Sequence, residues 1–313
     1  MSHSVIQRTE LLEATLRLGG VPIELSPYAT TGLRIVTVGP SGIGKTNAGM
    51  LIGESLSRQG WVTIMIDPEG ELASLYGAPV RSPTALRKVL VGREKPIVVV
   101  SASNAEAFVP YGRVIFEVAD VVRKPLFVMI DEGQLVSSGR QRKGYVGEAT
   151  DLINQFASRG RKRALDLFVT TDRFTGSLHR SVFSSSAIKL IGSQTDPAAW
   201  AALSPQFKGS GIDFADLSAL GPGEFFCISR RGIEKIRMPM AEALAKVARK
   251  ASAPRRTLPK TFTEWDRAMR GIPTARLQAL DDEVVALLSA VAGLPVQKVL
   301  SGQRAVLDEL EAR

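Results

Sequence analysis

The sequence predicts an α/β fold in which helices flank a mostly parallel central sheet. Short apolar runs rich in β-branched residues recur along the chain and alternate with stretches of helical spacing. One run leads through a glycine-rich loop into a helix, and two others end in acidic residues. Polar residues at the tips of alternating strands are typical of open parallel sheets that bind a ligand at one edge.

The length of 313 residues allows one large domain and a smaller appendage. We expect residues 1–245 to form the core, with a short N-terminal segment over residues 1–30. Residues 246–260 contain six basic residues, no acidic residue and two prolines, which predicts a basic linker. Helical spacing over residues 261–313 predicts a small helical tail.

Composition narrows the class of protein. No apolar run approaches the roughly 20 residues of a membrane span, and residues 1–10 lack the pattern of a signal peptide. The single cysteine, Cys227, cannot form an internal disulfide, so we expect a buried thiol in a cytoplasmic protein. The net charge of +9 suits an acidic polymer as partner, although charge alone is a weak indicator.

Apolar and β-branched runs predict strands over residues 33–38, 61–66, 95–101, 125–130, 165–171, 187–191 and 224–229. A hairpin around Arg230 and Arg231 is expected to join the last of these to a strand over 232–238. Helical spacing predicts helices over 47–57, 82–91 and 147–157. Near the N-terminus, we expect a short helix over 4–18 and a small strand over 21–25.

The most specific motif follows the strand over 33–38. It has the pattern G-x-x-x-x-G-K-T and comprises Gly39, Pro40, Ser41, Gly42, Ile43, Gly44, Lys45 and Thr46. Loop N–H groups and the positive end of the next helix attract phosphate, so Lys45 is expected to reach the β- and γ-phosphates and Thr46 to bind Mg²⁺. An ordinary glycine-rich turn is the alternative, but the flanking strand and helix favour nucleotide binding.

Two acidic residues, Asp131 and Glu132, close the strand over 125–130. A carboxylate at a strand tip can hold Mg²⁺ through its water shell, which is the role expected of Asp131. Glu132 points elsewhere and is expected to polarise the attacking water. The pair is a weak signal alone and a strong one after a phosphate-binding loop.

The strand over 61–66 also ends in acids, namely Asp67, Glu69 and Glu71. We expect this strand to lie beside the strand of the phosphate-binding loop, which would place the acids at the ligand edge of the sheet. A turn with solvated acids explains the same residues equally well.

A basic region follows Glu132, with seven basic and two acidic residues between positions 140 and 163. A solvated basic face is one interpretation, and a loop that contacts DNA or a neighbour's nucleotide is the other. The segment 137–145 is the best candidate for binding DNA phosphates, through Arg140, Arg142 and Lys143. The basic residues of 246–260 are the rival site.

These motifs resemble those of the HerA–FtsK superfamily of P-loop ATPases. The resemblance spans about residues 30–240 and is carried by Gly39–Thr46, Ile66–Glu71, Ile130–Glu132, Arg159–Lys162 and Val169–Arg173. It implies a RecA-like core that uses ATP and Mg²⁺ and forms a homo-oligomeric ring, a hexamer in the relatives, acting on double-stranded DNA. It also implies that Arg161, or else Arg159, serves as an arginine finger on the neighbouring subunit.

Two residues depart from the family pattern. Asp172 stands where the family has a glutamine that senses the γ-phosphate, and Phe174 stands where it has a proline. Asp172 is the candidate for this catalytic position if Arg173 or a metal ion offsets the repulsion between its carboxylate and phosphate. The small N-terminal barrel of cellular HerA has no room here, so the resemblance extends to the motor core alone.

The leading hypothesis is an ATP-driven translocase that moves or packages double-stranded DNA. The alternative is an ATP-binding ring that recruits a nuclease, packaging protein or other effector as a scaffold, which DNA-stimulated ATP hydrolysis would distinguish. A GTP-dependent switch is disfavoured because the sequence lacks an N-K-x-D motif. A small-molecule kinase is disfavoured because no substrate lid is evident.

Overall fold

The computed structural model describes residues 15–122, 124–138, 143–173 and 178–252. The chain divides into two units, residues 1–247 and 248–313, and only residues 248–252 of the second unit are described. The predicted helical tail, the linker from residue 253, and Arg140, Arg142 and Phe174 lie outside the described residues.

The first unit is built on an eight-stranded sheet preceded by a two-stranded one. The small sheet pairs β1 (Thr15–Leu18) with β2 (Val21–Glu24). The large sheet comprises β3 (Arg34–Val38), β4 (Val62–Asp67), β5 (Ile97–Ser101), β6 (Leu126–Ile130), β7 (Leu165–Thr171), β8 (Ile188–Ile191), β9 (Glu224–Ser229) and β10 (Gly232–Arg237). Its order is β10-β9-β8-β3-β7-β6-β4-β5.

The six strands from β8 to β5 run parallel, and β9 and β10 add an antiparallel hairpin at one side. The ends of the parallel strands therefore meet along one border of the sheet, called the carboxyl edge below, and their starts meet along the amino edge. The prediction that β4 lies beside β3 is wrong, because β7 and β6 lie between them. Crossover connections set the order of parallel strands, and local sequence patterns do not reveal it.

Helices cover both faces of the large sheet. They are α1 (Tyr28–Thr31), α2 (Lys45–Arg58), α3 (Ala73–Tyr76), α4 (Pro83–Gly92), α5 (Ala105–Val122), α6 (Gly133–Val136), α7 (Gly144–Arg159), α8 (Arg180–Ser185), α9 (Pro197–Leu203), α10 (Phe214–Ser218) and α11 (Glu242–Ser252). Successive strand residues point to opposite faces, so Ile64 packs in one apolar core and Met65 in the other. Phe108 of α5 and Phe156 of α7 belong to the first core, and Ile52 of α2 to the second.

Most predicted elements within the described residues are confirmed, apart from residues 15–18 and the predicted linker, and several helices, of which α5 is the longest, were not predicted. Residues 15–18 form a strand instead of the end of a helix. The 18-residue helix α5 has no predicted counterpart; Pro110 lowers helix propensity, but burial of residues such as Phe108 and Ile115 outweighs that cost. Helix α11 continues through residue 252, so the predicted linker begins within a helix.

The start of α11 is fixed to α2 by two side chains. Asn47 accepts a hydrogen bond from the backbone N–H of Ala241 at 2.8 Å. The buried carboxylate of Glu54 accepts the N–H groups of Glu242 at 2.6 Å and Ala243 at 2.9 Å. Glu54 therefore satisfies backbone donors in the first turn of α11, as an N-terminal cap does.

No helix in the described ranges is long and apolar enough to cross a membrane. Cys227 is buried in β9, and burial raises the pKa of its thiol to about 12. The expectation of a buried thiol is confirmed.

One buried carboxylate ties the amino edge together. Asp166 in β7 accepts the backbone N–H of Leu33 at 2.8 Å and the indole N–H of Trp61 at 3.0 Å. Leu33 directly precedes β3 and Trp61 directly precedes β4. A single side chain therefore fixes the starts of three strands relative to one another.

We expect Asp166→Ala to lower the free energy of unfolding by about 2–4 kcal/mol, because two buried N–H donors lose their acceptor. Asp166→Asn keeps one acceptor oxygen and should cost less. Urea unfolding followed by circular dichroism measures both differences. A loss below about 1 kcal/mol in Asp166→Ala would show that the starts of the strands are held by other contacts.

Candidate functional site

A cavity of about 560 Å³ opens at the carboxyl edge of the sheet. It is lined by the glycine-rich loop, the acidic turn after β4 and the tips of β6 and β7. The lining residues are Ser41, Gly42, Gly44, Lys45, Thr46, Asp67, Glu69, Glu71, Asp131, Glu132, Gln134, Leu135 and Asp172. Six of these side chains are acidic and one, that of Lys45, is basic.

The glycine-rich loop turns the chain from β3 into α2. Gly42 and Gly44 have φ angles of 81° and 98°, which glycine adopts without strain. The Lys45 side chain folds back over the loop and donates to the carbonyl oxygens of Gly39 at 2.9 Å and Pro40 at 3.2 Å. Only 4% of this side chain is exposed, so its amine is held firmly at the cavity wall.

Acidic side chains balance the charge of Lys45. Asp172 Oδ1 lies 2.7 Å from Lys45 Nζ, and Glu132 Oε1 lies 3.8 Å from it. The Asp172 side chain is 44% exposed, so its pairing with the lysine is partly screened by solvent. The residue at the tip of β7 therefore acts here as the counter-ion of Lys45.

Asp131 and the Thr46 hydroxyl lie together between β6 and the loop. Thr46 Oγ1 donates to Asp131 Oδ2 and Thr170 Oγ1 donates to Asp131 Oδ1, both at 2.8 Å. Burial raises the pKa of Asp131, and the two hydroxyl groups oppose that rise. Hydroxyl and carboxylate oxygens are hard ligands, so Thr46 and Asp131 fit a Mg²⁺ ion that keeps water and phosphate oxygens as its other ligands.

Glu132 has a left-handed backbone, with φ of 46° and ψ of 51°, which is uncommon for a residue with a side chain. Its N–H donates to Thr170 Oγ1 at 2.8 Å, so the hydroxyl that binds Asp131 also fixes the backbone of Glu132. Burial raises the pKa of the Glu132 carboxyl, and the charge of Lys45 opposes that rise. Such backbone strain beside a cavity is typical of functional residues.

Gln134 lines the same cavity and was not among the sequence candidates. Its side-chain amide donates to the carboxylate of Glu132 and, at 3.3 Å, to Asp172 Oδ2. The only sequence signal is a polar residue shortly after the acidic pair. Its contact with position 172 becomes visible only when β6 and β7 are placed side by side.

The surroundings of Asp67 partly decide between the two interpretations of the acidic turn after β4. Its carboxylate is buried and accepts the backbone N–H groups of Gly70 and Leu72, each at 2.9 Å. Asp67 therefore shapes the turn and is not solvated. Glu69 and Glu71 are exposed and line the cavity.

The basic candidates within the described residues, Arg159, Arg161 and Lys143, are not among the residues that line the cavity. Arg159 and Arg161 are exposed, and Arg161 belongs to the 3₁₀ turn Gly160–Arg163 that precedes β7 at the amino edge. Lys143 is exposed at the start of α7. The candidates that meet at the cavity are the loop 39–46, Asp131, Glu132 and Asp172.

No protein-family model matches the chain, and no curated protein matches it significantly. Solved structures do match. The genome-packaging NTPase B204 of Sulfolobus turreted icosahedral virus 2, in complex with ATP-gammaS, aligns with a TM-score of 0.53 at 17% identity, over 67% of this chain and 98% of that one. B204, the DNA-packaging ATPase of Sulfolobus turreted icosahedral virus, aligns with a TM-score of 0.52 at 16% identity, over 66% and 97%. ATPases 2 and 3 of EccC from Thermomonospora curvata align with a TM-score of 0.50 at 15% identity, over 74% and 41%.

The chain shares the fold of these NTPases and ATPases. The predicted RecA-like core with a mostly parallel sheet is confirmed by these likenesses. At such low identities the likeness establishes the fold alone. The chemistry that the site can perform depends on the residues at its cavity.

We expect ATP with Mg²⁺ to raise the melting temperature, because a ligand that binds only the folded state stabilises it by about 2.7 kcal/mol at a hundredfold excess over Kd. Lys45→Ala should remove most of this rise, because the variant lacks the only amine among the described residues that line the cavity. Lys88→Ala, at an exposed position of α4, is the matched control and should respond as the unmodified protein does. An equal rise in Lys45→Ala would contradict the assignment of the loop.

Proposed function

We propose that the protein is an ATP-driven translocase of double-stranded DNA that works as a ring and hydrolyses ATP between subunits. The observation that supports hydrolysis most directly is the convergence of Lys45, Thr46, Asp131 and Glu132 on one cavity. The fold shared with genome-packaging NTPases supports the choice of DNA as the substrate that is moved.

Each residue has a role that its contacts allow. Loop N–H groups and Lys45 bind phosphate oxygens, which take the place of Asp172 beside Nζ. Thr46 and Asp131 hold Mg²⁺, which supplies positive charge to the phosphates. Glu132 orients the attacking water and accepts its proton.

The described lining of the cavity has too little positive charge for a triphosphate. Its six carboxylates face one amine, and the nucleotide adds further negative charge. A bound Mg²⁺ corrects only part of this imbalance. The site therefore needs a further cation from outside the subunit. This need supports placing the site between two copies of the chain.

Arg161 has the position expected of such a cation. The Arg161 Cα lies 3.5 Å from the position that a Cβ would occupy on Gly32. Gly32 lies just before β3, whereas the phosphate-binding loop follows the other end of β3. The five-residue strand spans about 17 Å, so Arg161 is remote from its own cavity. It can act on ATP only in a neighbouring copy. Other cations at the amino edge are Arg34, Lys162, Arg230 and Arg231.

A basic amino edge and an acidic carboxyl edge favour head-to-tail contact between copies. Such heterologous contacts close into rings when the rotation between neighbours allows it. We take the ring to be a hexamer, as in the relatives implied by the motifs. Native mass spectrometry with ATP and duplex DNA measures the number of subunits.

Mixing two inactive variants tests the shared site. Lys45→Ala and Arg161→Ala should each be nearly inactive as uniform rings, because an arginine finger contributes about 10³–10⁵ in rate. In an equal random mixture, about one quarter of interfaces join an intact Lys45 to an intact Arg161, so activity should return to a comparable fraction. No recovery at any ratio would contradict action between subunits. Recovery with Arg159→Ala instead of Arg161→Ala would transfer the role to Arg159.

Contacts with DNA are assigned to the segment 137–145. Both of its described ends adjoin the same helix, α7, because the Ser138 N–H donates to Thr150 Oγ1 at 3.2 Å and Lys143 directly precedes that helix. The segment is separated from Glu132 by the single turn of α6. A change at the hydrolytic site therefore reaches the segment over a short, well-packed connection.

Replacing Arg140, Arg142 and Lys143 with alanine should lower the slope of log Kd against log salt by about 2–3, one unit for each phosphate left without its basic partner. Fluorescence anisotropy with duplex DNA at several salt concentrations measures this slope. The matched control replaces Lys246, Arg249 and Lys250, which removes the same charge from the rival site. A slope that changes only in the control variant would move the DNA site to residues 246–260.

DNA-stimulated ATP hydrolysis separates a motor from a scaffold. We expect duplex DNA to increase the rate of ATP hydrolysis in the unmodified protein and to do so less in the variant of segment 137–145. A ring that binds both ATP and DNA without such stimulation would instead indicate a scaffold for a nuclease or packaging partner.

A further inference from the structure

Position 172 does not present the group that the γ-phosphate sensor needs. An ionised aspartate can only accept hydrogen bonds, whereas a glutamine amide can donate one to a phosphate oxygen. The Asp172 carboxylate is also engaged, because Oδ1 contacts Lys45 Nζ at 2.7 Å. A sensor of this site must therefore come from another residue at the cavity.

Gln134 reaches the same place from the neighbouring strand connection. A Cβ added to the preceding Gly133 would lie only 2.5 Å from Val169 Cγ1 and 3.0 Å from the Thr170 carbonyl oxygen. Glycine at position 133 therefore lets α6 approach β7 closely. This approach brings the Gln134 amide to 3.3 Å from Asp172 Oδ2.

The contacts of Gln134 fix the orientation of its amide. Both of its hydrogen bonds are to carboxylate oxygens, of Glu132 and Asp172, so the NH₂ group must face them. The carbonyl oxygen Oε1 is buried and has no hydrogen-bond partner among the described residues. The NH₂ group is therefore the part of the amide that meets the carboxylates of the cavity, and Oε1 faces the protein interior.

We propose that Gln134 has taken over the function of the strand-tip sensor and contacts the γ-phosphate of ATP, which positions that phosphate for the attacking water. When the γ-phosphate takes the place of Asp172 beside Lys45, the Gln134 amide donates a hydrogen bond to a phosphate oxygen, and Glu132 accepts the proton that the attacking water loses. The water oxygen forms a bond to the γ-phosphorus while the bond to the bridging oxygen breaks and ADP leaves with that electron pair. Asp172 then serves as the counter-ion of Lys45 before ATP arrives.

This inference rests on the proposed ATP hydrolysis and can fail while that function stands. A purely structural role for Gln134 is the competing explanation, in which its amide only separates the carboxylates of Glu132 and Asp172. The two explanations predict different results when a glutamine is placed at position 172. Only the sensor role predicts that this glutamine can replace the amide of Gln134. The Gln134–Asp172 contact makes this exchange feasible within the same part of the cavity.

The experiment compares Gln134→Ala, Asp172→Gln and the double variant that carries both changes. Gln134→Ala should lower kcat by about 10²-fold, the lower end of contributions from groups that position or deprotonate a water. Its Kd for ATP, from calorimetry, should stay within about threefold, which corresponds to less than 1 kcal/mol. The double variant should regain at least about tenfold in kcat over Gln134→Ala, because the glutamine again stands at the tip of β7.

Gln155→Ala on α7, outside the cavity lining, is the matched glutamine control and should hydrolyse ATP at the unmodified rate. A kcat for Gln134→Ala within about twofold of the unmodified value would overturn the inference, since a positioning group contributes far more. A loss of kcat in Gln134→Ala that the double variant does not reverse would also overturn it. Melting temperatures of all variants exclude simple unfolding as the cause of lost activity.

Glu132→Gln separates failure of this inference from failure of the proposed function. If Glu132→Gln abolishes hydrolysis and Gln134→Ala does not, ATP hydrolysis stands and the role of Gln134 falls. If the unmodified protein and Glu132→Gln hydrolyse ATP equally slowly, the proposed function falls together with the inference.

Discussion

The site depends on one electrostatic constraint, which is that a single amine faces six carboxylates in the described lining of the cavity. Lys45 is held over its own loop by two carbonyl oxygens and is neutralised by Asp172. The carboxylates remain tolerable because backbone N–H groups bind Asp67, hydroxyl groups bind Asp131, and Gln134 bridges Glu132 to Asp172. Such a cavity resists a bare polyanion and accepts one that arrives with cations. The proposed Mg²⁺ ion and the proposed arginine of a neighbouring copy would both reduce this imbalance.

The parallel sheet separates positive from negative charge without any dedicated element. At the carboxyl edge, acidic residues stand at or directly after the ends of β4, β6 and β7. At the amino edge, β3 begins at Arg34, and the turn before β7 contains Arg161, Lys162 and Arg163. The exposed carboxylate of Asp120 pairs with Arg163 at the amino edge. Asp166 is a second carboxylate there, buried and bound by backbone and indole donors. Its role there is structural, and it leaves the surface of that edge basic. Because the strands run in the same direction, the two edges of the sheet differ in charge.

The sequence was sufficient for the parts of the site that are local. The loop 39–46 and the pair Asp131 and Glu132 are recognisable because their chemistry depends on neighbours in the chain. The order of strands was not predictable, and β4 was placed wrongly because crossover connections leave no local pattern. The pairing of Lys45 with Asp172 and the contact of Gln134 with Asp172 join residues far apart in the chain. Helix α5 was missed because tertiary burial overrode the low propensity of a segment containing Pro110.

The attachment of α11 to α2 determines where the folded core ends. The sheet is complete at Arg237, and a chain cut there would keep every strand of the large sheet. It would nevertheless leave the buried carboxylate of Glu54 without the N–H groups of Glu242 and Ala243. The Tyr76 hydroxyl would still donate to this carboxylate at 2.7 Å, but two hydrogen bonds that hold α2, whose first residue is Lys45, would be lost. Cleavage after the last strand would therefore remove contacts of α2, the helix that begins at the phosphate-binding loop.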